Sequence, residues 1–280
     1  MRLYTIDTGY FKLDGGAMFG VVPKSIWNKL NPADENNMCT WAMRCLLVQT
    51  PDRLILIDTG IGNKQSVDFF KHFYLHGIDT LENSLNKVGF ALDQITDVIL
   101  THLHFDHVGG AVSQKDGSYK LTFPKAKYWV HSAQLDWALH PNAREKASFL
   151  AENIHPLIEA QQLHLLDRES AETSFEPHMK FLYVDGHTEK QVLPLIAYGP
   201  HTILYAADLI PSVGHIPIPY VMSYDMRPLH TLQEKKEILE KAYAENWLLF
   251  FEHDPLYELC SLQKTDKGIR AKDFIKIAEL

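Results

Sequence analysis

The chain has 280 residues, and its 46% hydrophobic and 22% charged residues are ordinary globular values that support a sizeable core. A formal net charge of −8 argues against a nucleic-acid partner, whose affinity rests on Lys and Arg contacts to phosphate. No apolar run reaches the roughly 18 residues that a membrane span needs, so no membrane partner is expected. No Pro/Gly/Ser-rich linker divides the chain, and a single domain over 1–280 is expected.

Taken in chain order, residues 2–7 read as a strand, without the apolar h-region or small-residue cleavage site of a signal peptide; a cytoplasmic protein is expected. The segment from Asp14 to Trp27 sets Met18, Phe19 and Trp27 among glycines, and a strand is expected over 17–22. Strands follow over 43–49 and 54–58, the second running into Asp58-Thr59-Gly60. Helices are expected over 64–76 and 79–88, a strand over 96–100, and a strand over 127–131. Helices over 131–139, 143–151 and 152–161 lead to strands over 179–184, 192–197, 202–207 and 248–251. A helix over 230–245 carries Thr231 and Glu234 at capping-box spacing. Its Glu234, Lys235, Lys236, Glu237, Glu240 and Lys241 alternate as a solvated face would. Cys39, Cys45 and Cys260 are too scattered for a disulfide framework and read as core thiols.

The densest chemistry lies at Thr101-His102-Leu103-His104-Phe105-Asp106-His107-Val108-Gly109-Gly110, just past the strand over 96–100. A packed core has no use for such a group of imidazoles and a carboxylate, because each needs its own partner. A metal ion supplies one partner for all of them. In an extended segment His102 and His104 point to the same side, whereas Asp106 and His107 follow the turn and can aim at a second ion close by. Gly109-Gly110 permits a tight turn and positive φ. His72, His76, His131, His140, His155, His164, His178, His201 and His230 lack a ligand-like setting.

This pattern, His102-x-His104-x-Asp106-His107, resembles the signature of the metallo-β-lactamase-fold hydrolases. The resemblance extends to His187 in Asp-Gly-His, to Asp208 at the end of an apolar strand, to His253 at another, and to Asp58 in an Asp-x-Gly turn. It implies an α/β fold, a four-layer αββα sandwich, with two Zn2+ per chain. His102, His104 and His187 would hold one ion, Asp106, His107 and His253 the other, and Asp208 would bridge them. Asp58 would fix a ligand imidazole through its other ring nitrogen. His104 stands where the diiron flavoproteins of the family carry Glu, which favours zinc; softness and geometry alone leave Mn, Co and Fe open.

Two apolar segments are candidates for a substrate pocket: the one with Met18 and Phe19, and the proline-punctuated stretch after Asp208 with His215, Tyr220 and Tyr224. The first, with the His/Asp set, resembles the branch holding the N-acyl-homoserine lactonases and the methyl parathion hydrolase group. The implied reaction is opening of a lactone, as in quorum quenching, by a metal-bridging hydroxide, with Asp106 carrying the proton to the leaving oxygen. The implied partner is a small apolar ester-like substrate. In those lactonases a Tyr follows the bridging Asp by three residues; here Pro211 stands there, so Tyr220, Tyr224 or His215 would have to reach the carbonyl, and Tyr220 is the candidate catalytic phenol. Alternatives are an aryl phosphotriesterase, a thioesterase, or a metal-bearing binding protein without turnover. A glutathione thioesterase of this fold needs a C-terminal helical part, and 27 residues follow His253 here. A homodimer contact through the aromatic N-terminal segment is left open.

Overall fold

The computed structural model describes residues 1–166 and 172–280. The chain groups into two compact units, Met1–Tyr10 with Met43–Glu169 and Phe11–Ala42 with Ser170–Leu280.

The first unit is built on a six-stranded sheet in the order Arg2–Asp14, Met38–Gln49, Leu54–Ile57, Asp97–Ile99, Lys127–His131, Leu163–Leu166. The last four strands run parallel to one another. Such strands are covered on both faces, which is why Leu54–Ile57 and the run through Ile99-Leu100 are apolar without alternation. Their side chains join Ile6, Cys45, Leu47, Leu85, Phe123 and Tyr128 in one core. Helices Leu81–Lys87, Ser132–Leu139 and Ala151–Glu159 are where the sequence pattern places them.

The second unit is built on a seven-stranded sheet in the order Gly268–Ile275, Leu259–Thr265, Leu248–Phe250, His201–Tyr205, Gln191–Tyr198, Met179–Val184, Glu172–Glu176. Leu248–Phe250 and His201–Tyr205 pair in parallel, so their C-terminal ends, which lead to His253 and Asp208, emerge on the same side. The long helix Pro228–Ala244 follows.

Several expectations fail for identifiable reasons. Residues 17–22 are not a strand: the Asp14 carboxylate accepts the Ala17 N–H at 2.8 Å and starts the helix Gly15–Phe19, which Gly20 ends at φ 58°. Of the helix expected over 64–76 only Val67–Phe70 forms, capped by Ser66. Over 143–151 there is a single 3₁₀ turn, Lys146–Ser148, because the Asn142 side chain takes the Arg144 and Glu145 amides into an Asx turn. Thr231 and Glu234 form no capping box: the helix starts at Pro228, and both side chains bond elsewhere. The charged stretch is not wholly a solvated face either. Lys235 is completely buried, and burial pushes its ammonium down to about 7. The hairpin Leu259–Thr265 with Gly268–Ile275 has no counterpart among the expected strands.

The three cysteines are buried free thiols, as expected, and burial pushes Cys39 up to about 11. Among the described residues no helix is long and apolar enough to cross a membrane.

Candidate metal centre

In the first unit the motif leaves the strand Asp97–Ile99, runs extended through His104, and turns into the short helix Phe105–Val108. Asp58, at φ 57° in the turn after Leu54–Ile57, organises it. Its carboxylate accepts the Thr101 amide at 2.8 Å and the Thr101 hydroxyl at 2.6 Å, and lies 3.1 Å from His107 Nδ1. Because the Thr101 hydrogen points to Asp58, its oxygen is left to accept from His102 Nδ1, 3.0 Å away. His102 and His107 are thereby both held with hydrogen on Nδ1 and a lone pair on Nε2.

His104 is held the other way round. Its Nε2 lies 2.9 Å from Glu145 Oε1, which leaves the lone pair on Nδ1. Glu145 also accepts from Trp137 Nε1 at 2.6 Å and from Asn142 Nδ2 at 3.2 Å, and it is 2% exposed. The result places His102 Nε2 and His104 Nδ1 3.0 Å apart with their lone pairs facing each other. Two such lone pairs repel unless a cation lies between them, so the donor set fits a metal ion. Glu145 carries no sequence signal, because its tie to His104 spans 41 residues.

Gly109 and Gly110 serve a purpose other than the expected positive φ, since neither adopts it. A Cβ on Gly109 would lie 2.1 Å from the Ile61 carbonyl oxygen, and one on Gly110 would lie 2.1 Å from that of Thr59. The two glycines let the turn after Asp58 pack backbone to backbone against the motif, where Thr59 donates both N–H and Oγ–H to the His107 carbonyl at 2.8 and 2.7 Å.

In the second unit Asp208 follows Ala207, a buried residue at φ 42°, a left-handed conformation that costs a residue with a Cβ about 1 kcal/mol or more. The Asp208 oxygens face two different imidazoles: Oδ1 lies 3.0 Å from His253 Nε2 and Oδ2 lies 3.2 Å from His187 Nε2. Each ring has its Nδ1 on a separate acceptor, Ala42 O at 2.8 Å for His253 and Asp225 Oδ1 at 2.9 Å for His187. A carboxylate flanked by two lone-pair nitrogens again fits cations. Asp225 in turn accepts the Thr231 hydroxyl at 2.7 Å, and a Cβ on Gly186 would strike Thr231 at 2.3 Å, so the His187 turn is seated on the helix Pro228–Ala244. Pro211 offers its carbonyl to the His253 amide at 3.1 Å.

The two apolar segments come together within this unit. His215, 1% exposed, stacks on Phe19 with centroids 4.5 Å apart, and its ring nitrogens bond Met18 O at 2.9 Å and the Ser212 hydroxyl at 2.8 Å. Burial drives it down to about 3, so the ring is neutral. Met18 and Phe19 are buried in this layer, and the side chains left accessible include Tyr220, set edge-on to Phe19, and Tyr224. In the first unit the sequence reading missed a half-buried aromatic group that includes Phe105 of the motif. The Phe105 ring, between His104 and Asp106 in the chain, lies 4.8 Å from that of Phe73 and 5.4 Å from that of Phe69. The repeated Phe at 69, 70 and 73 was its only trace in the chain.

Each of the seven expected ligands belongs to a group of side chains able to hold a metal ion. Replacing Glu145 by Ala is expected to lower divalent-metal affinity about 10–100-fold, read by competition with a chromophoric chelator, because His104 loses the partner that fixes its tautomer. An unchanged affinity would show that the His104 ring needs no such support.

The Metallo-beta-lactamase superfamily model matches residues 44–253. An N-acyl homoserine lactonase of Bacillus thuringiensis is 25% identical over 266 residues, 90% of this chain and 93% of its own. A probable metallo-hydrolase of Mycobacterium tuberculosis is 26% identical over 246 residues, 76% of this chain and 75% of its own. Among solved structures, a probable metal-dependent hydrolase from Staphylococcus aureus superposes with a TM-score of 0.87 at 25% identity, over 98% of both chains. A dizinc quorum-quenching lactonase in complex with a product superposes with a TM-score of 0.79 at 24% identity, over 98% of this chain and 95% of the other. The family match and these superpositions show the expected α/β fold class, that of a metal-dependent hydrolase, and the chain belongs to the metallo-β-lactamase superfamily.

Proposed function

We propose that the chain acts as one hydrolase domain that opens a lactone bearing an apolar acyl arm, with two zinc ions as cofactors. His102, His104 and His187 would hold one ion, Asp106, His107 and His253 the other, and Asp208 would serve both. The observation that carries this reading is the way each imidazole is committed through one nitrogen to a protein acceptor, leaving the other as a lone-pair donor beside a second donor. Five imidazoles arranged this way, with the carboxylates of Asp106 and Asp208, offer donors enough for two cations. Zinc, when bound, supplies a Lewis acid and brings the pKa of water toward about 7.

The chain's own groups supply the rest. Asp58, Thr101, Glu145 and Asp225 hold the imidazoles in the tautomers described. Asp106, 8% exposed, would carry a proton to the ring oxygen that leaves. Tyr220 is the phenol proposed to approach the carbonyl in place of the Tyr that Pro211 displaces. Tyr220 and Tyr224, both accessible in the second unit, offer an apolar wall for the arm. The lactone, rather than another ester, is favoured by the named activity of the Bacillus thuringiensis relative, which shares length and order along 93% of its chain.

The test is hydrolysis of short- and long-chain acyl-homoserine lactones, an aryl phosphotriester, a glutathione thioester and a β-lactam by metal-analysed protein, with and without chelator. The expected result is lactone opening at two zinc per chain, abolished by chelation and restored by zinc. Turnover of the triester or thioester without the lactones would keep the metal centre and replace the substrate.

A further inference from the structure

The helix Pro228–Ala244 turns Thr231, Glu234 and Lys235 inward from one face, at the i, i+3, i+4 spacing that stacks side chains on a helix. Thr231 supports Asp225, the acceptor for His187. Glu234 accepts the amides of Asp185 and Gly186 at 2.7 and 3.0 Å, just before His187 in the chain. Lys235 does something different. Its ammonium donates to the carbonyls of Tyr220 at 2.7 Å, Pro217 at 3.1 Å and Ile218 at 3.4 Å.

An ammonium with no exposure, spent on backbone carbonyls, is costly to bury, and a leucine would fill a helix core more cheaply. The turn it holds explains the need. Pro217 and Pro219 lack N–H groups, and the turn's own amides reach the Pro217 and Pro219 carbonyls, from Tyr220 at 3.0 Å and Val221 at 3.1 Å; Lys235 adds a donor for the carbonyls of Ile218 and Tyr220 and a second one for Pro217. The segment it belongs to starts after Asp208 and ends at Asp225, so both of its ends are tied to the candidate metal centre while its middle is tied to Lys235. The ionisable groups facing Lys235 are Asp225 and the neutral His215.

We propose that Lys235 is a positioning residue for the substrate arm: it pins the turn Pro217–Tyr220 to the helix and thereby fixes where Tyr220 and the accessible apolar side chains around it present themselves. The assignment of the arm rests on the lactonase reading; the pinning of the turn does not. The hydrogen bonds that Lys235 makes go to the turn and not to a candidate metal ligand, so its loss should alter the fit of the arm and leave the metal set in place.

The experiment compares wild type, Lys235→Met and Lys235→Gln as full-length, zinc-loaded protein. Three readouts are taken: zinc per chain, amide hydrogen exchange over residues 216–222, and kcat and KM for short- and long-acyl homoserine lactones. The expected result for both variants is unchanged zinc and amide exchange in 216–222 faster by about 10-fold or more. KM for the long-acyl lactone should rise about 10-fold while kcat stays within about threefold. Gln, which keeps a donor, should fall between Met and wild type, and carries the test if Met does not fold. Unchanged exchange in a folded variant overturns the proposal, as does a loss of zinc or of kcat equal for both lactones, which would make Lys235 a general scaffold residue. If wild type opens no lactone, the functional reading fails while the exchange data still decide whether Lys235 pins the turn.

Discussion

Asp208→Ala is expected to lower hydrolysis about 10³-fold or more and to reduce bound zinc below two per chain. The Asp208 carboxylate stands between His253 and His187, with one oxygen 3.0 Å from His253 Nε2 and the other 3.2 Å from His187 Nε2. Removing it takes a negative charge from between two sites that would each hold a dication. Each imidazole keeps its outer acceptor, so the variant should fold and stay soluble, which separates loss of the centre from loss of the protein. Zinc is read by elemental analysis after dialysis against a weak chelator, and turnover on whichever ester the wild type accepts. Full activity with two tightly bound ions would remove Asp208 from the centre. The left-handed backbone at Ala207 adds a second argument, because strain held next to the candidate carboxylate means that the surrounding structure dictates where that carboxylate points.

How far the chain could be read in advance depends on where the information lies. The cluster at His102–His107 was legible because it violates a local rule: several ionisable side chains directly follow a buried apolar strand, with no polar face to receive them. His187, Asp208 and His253 stood out as candidates only through the order of motifs that the family resemblance implies. Glu145 was not, since it lies in a segment whose helical pattern is interrupted by an Asx turn, and its partner is 41 residues away. Lys235 was not legible for a related reason. Alternating charge at helical spacing describes a solvated face and equally a helix that buries one of its lysines, and only the carbonyls of a distant turn tell the two apart. The C-terminal hairpin carried a signal that local periodicity underweights: Asp266-Lys267-Gly268 between alternating runs, with Gly268 at φ 92° closing the turn.

Gly109→Ala is expected to destabilise the protein by about 3 kcal/mol or more and to weaken metal binding with it. The new methyl would sit 2.1 Å from the Ile61 carbonyl oxygen and 2.5 Å from its carbon, and both atoms are backbone. They have little freedom to retreat, because the Thr59–Gly62 turn is tied to the motif by Gly110 N–H to Gly60 O at 2.9 Å and by the two Thr59 bonds to the His107 carbonyl. Relief therefore means separating the turn that carries Asp58 from the helix that carries Asp106 and His107, and Asp58 would lose its hold on His107 Nδ1. Gly89→Ala is the matching control. That position has a φ of 90° and no atom within 4 Å of the added carbon, so it should pay only the conformational cost, about 1 kcal/mol. Chemical denaturation of the two variants with and without zinc gives the comparison. A Gly109→Ala protein as stable as Gly89→Ala would show that the two backbones do not approach closely at the motif. The expected gap between them measures how much of the metal centre's geometry is set by the absence of a single methyl group.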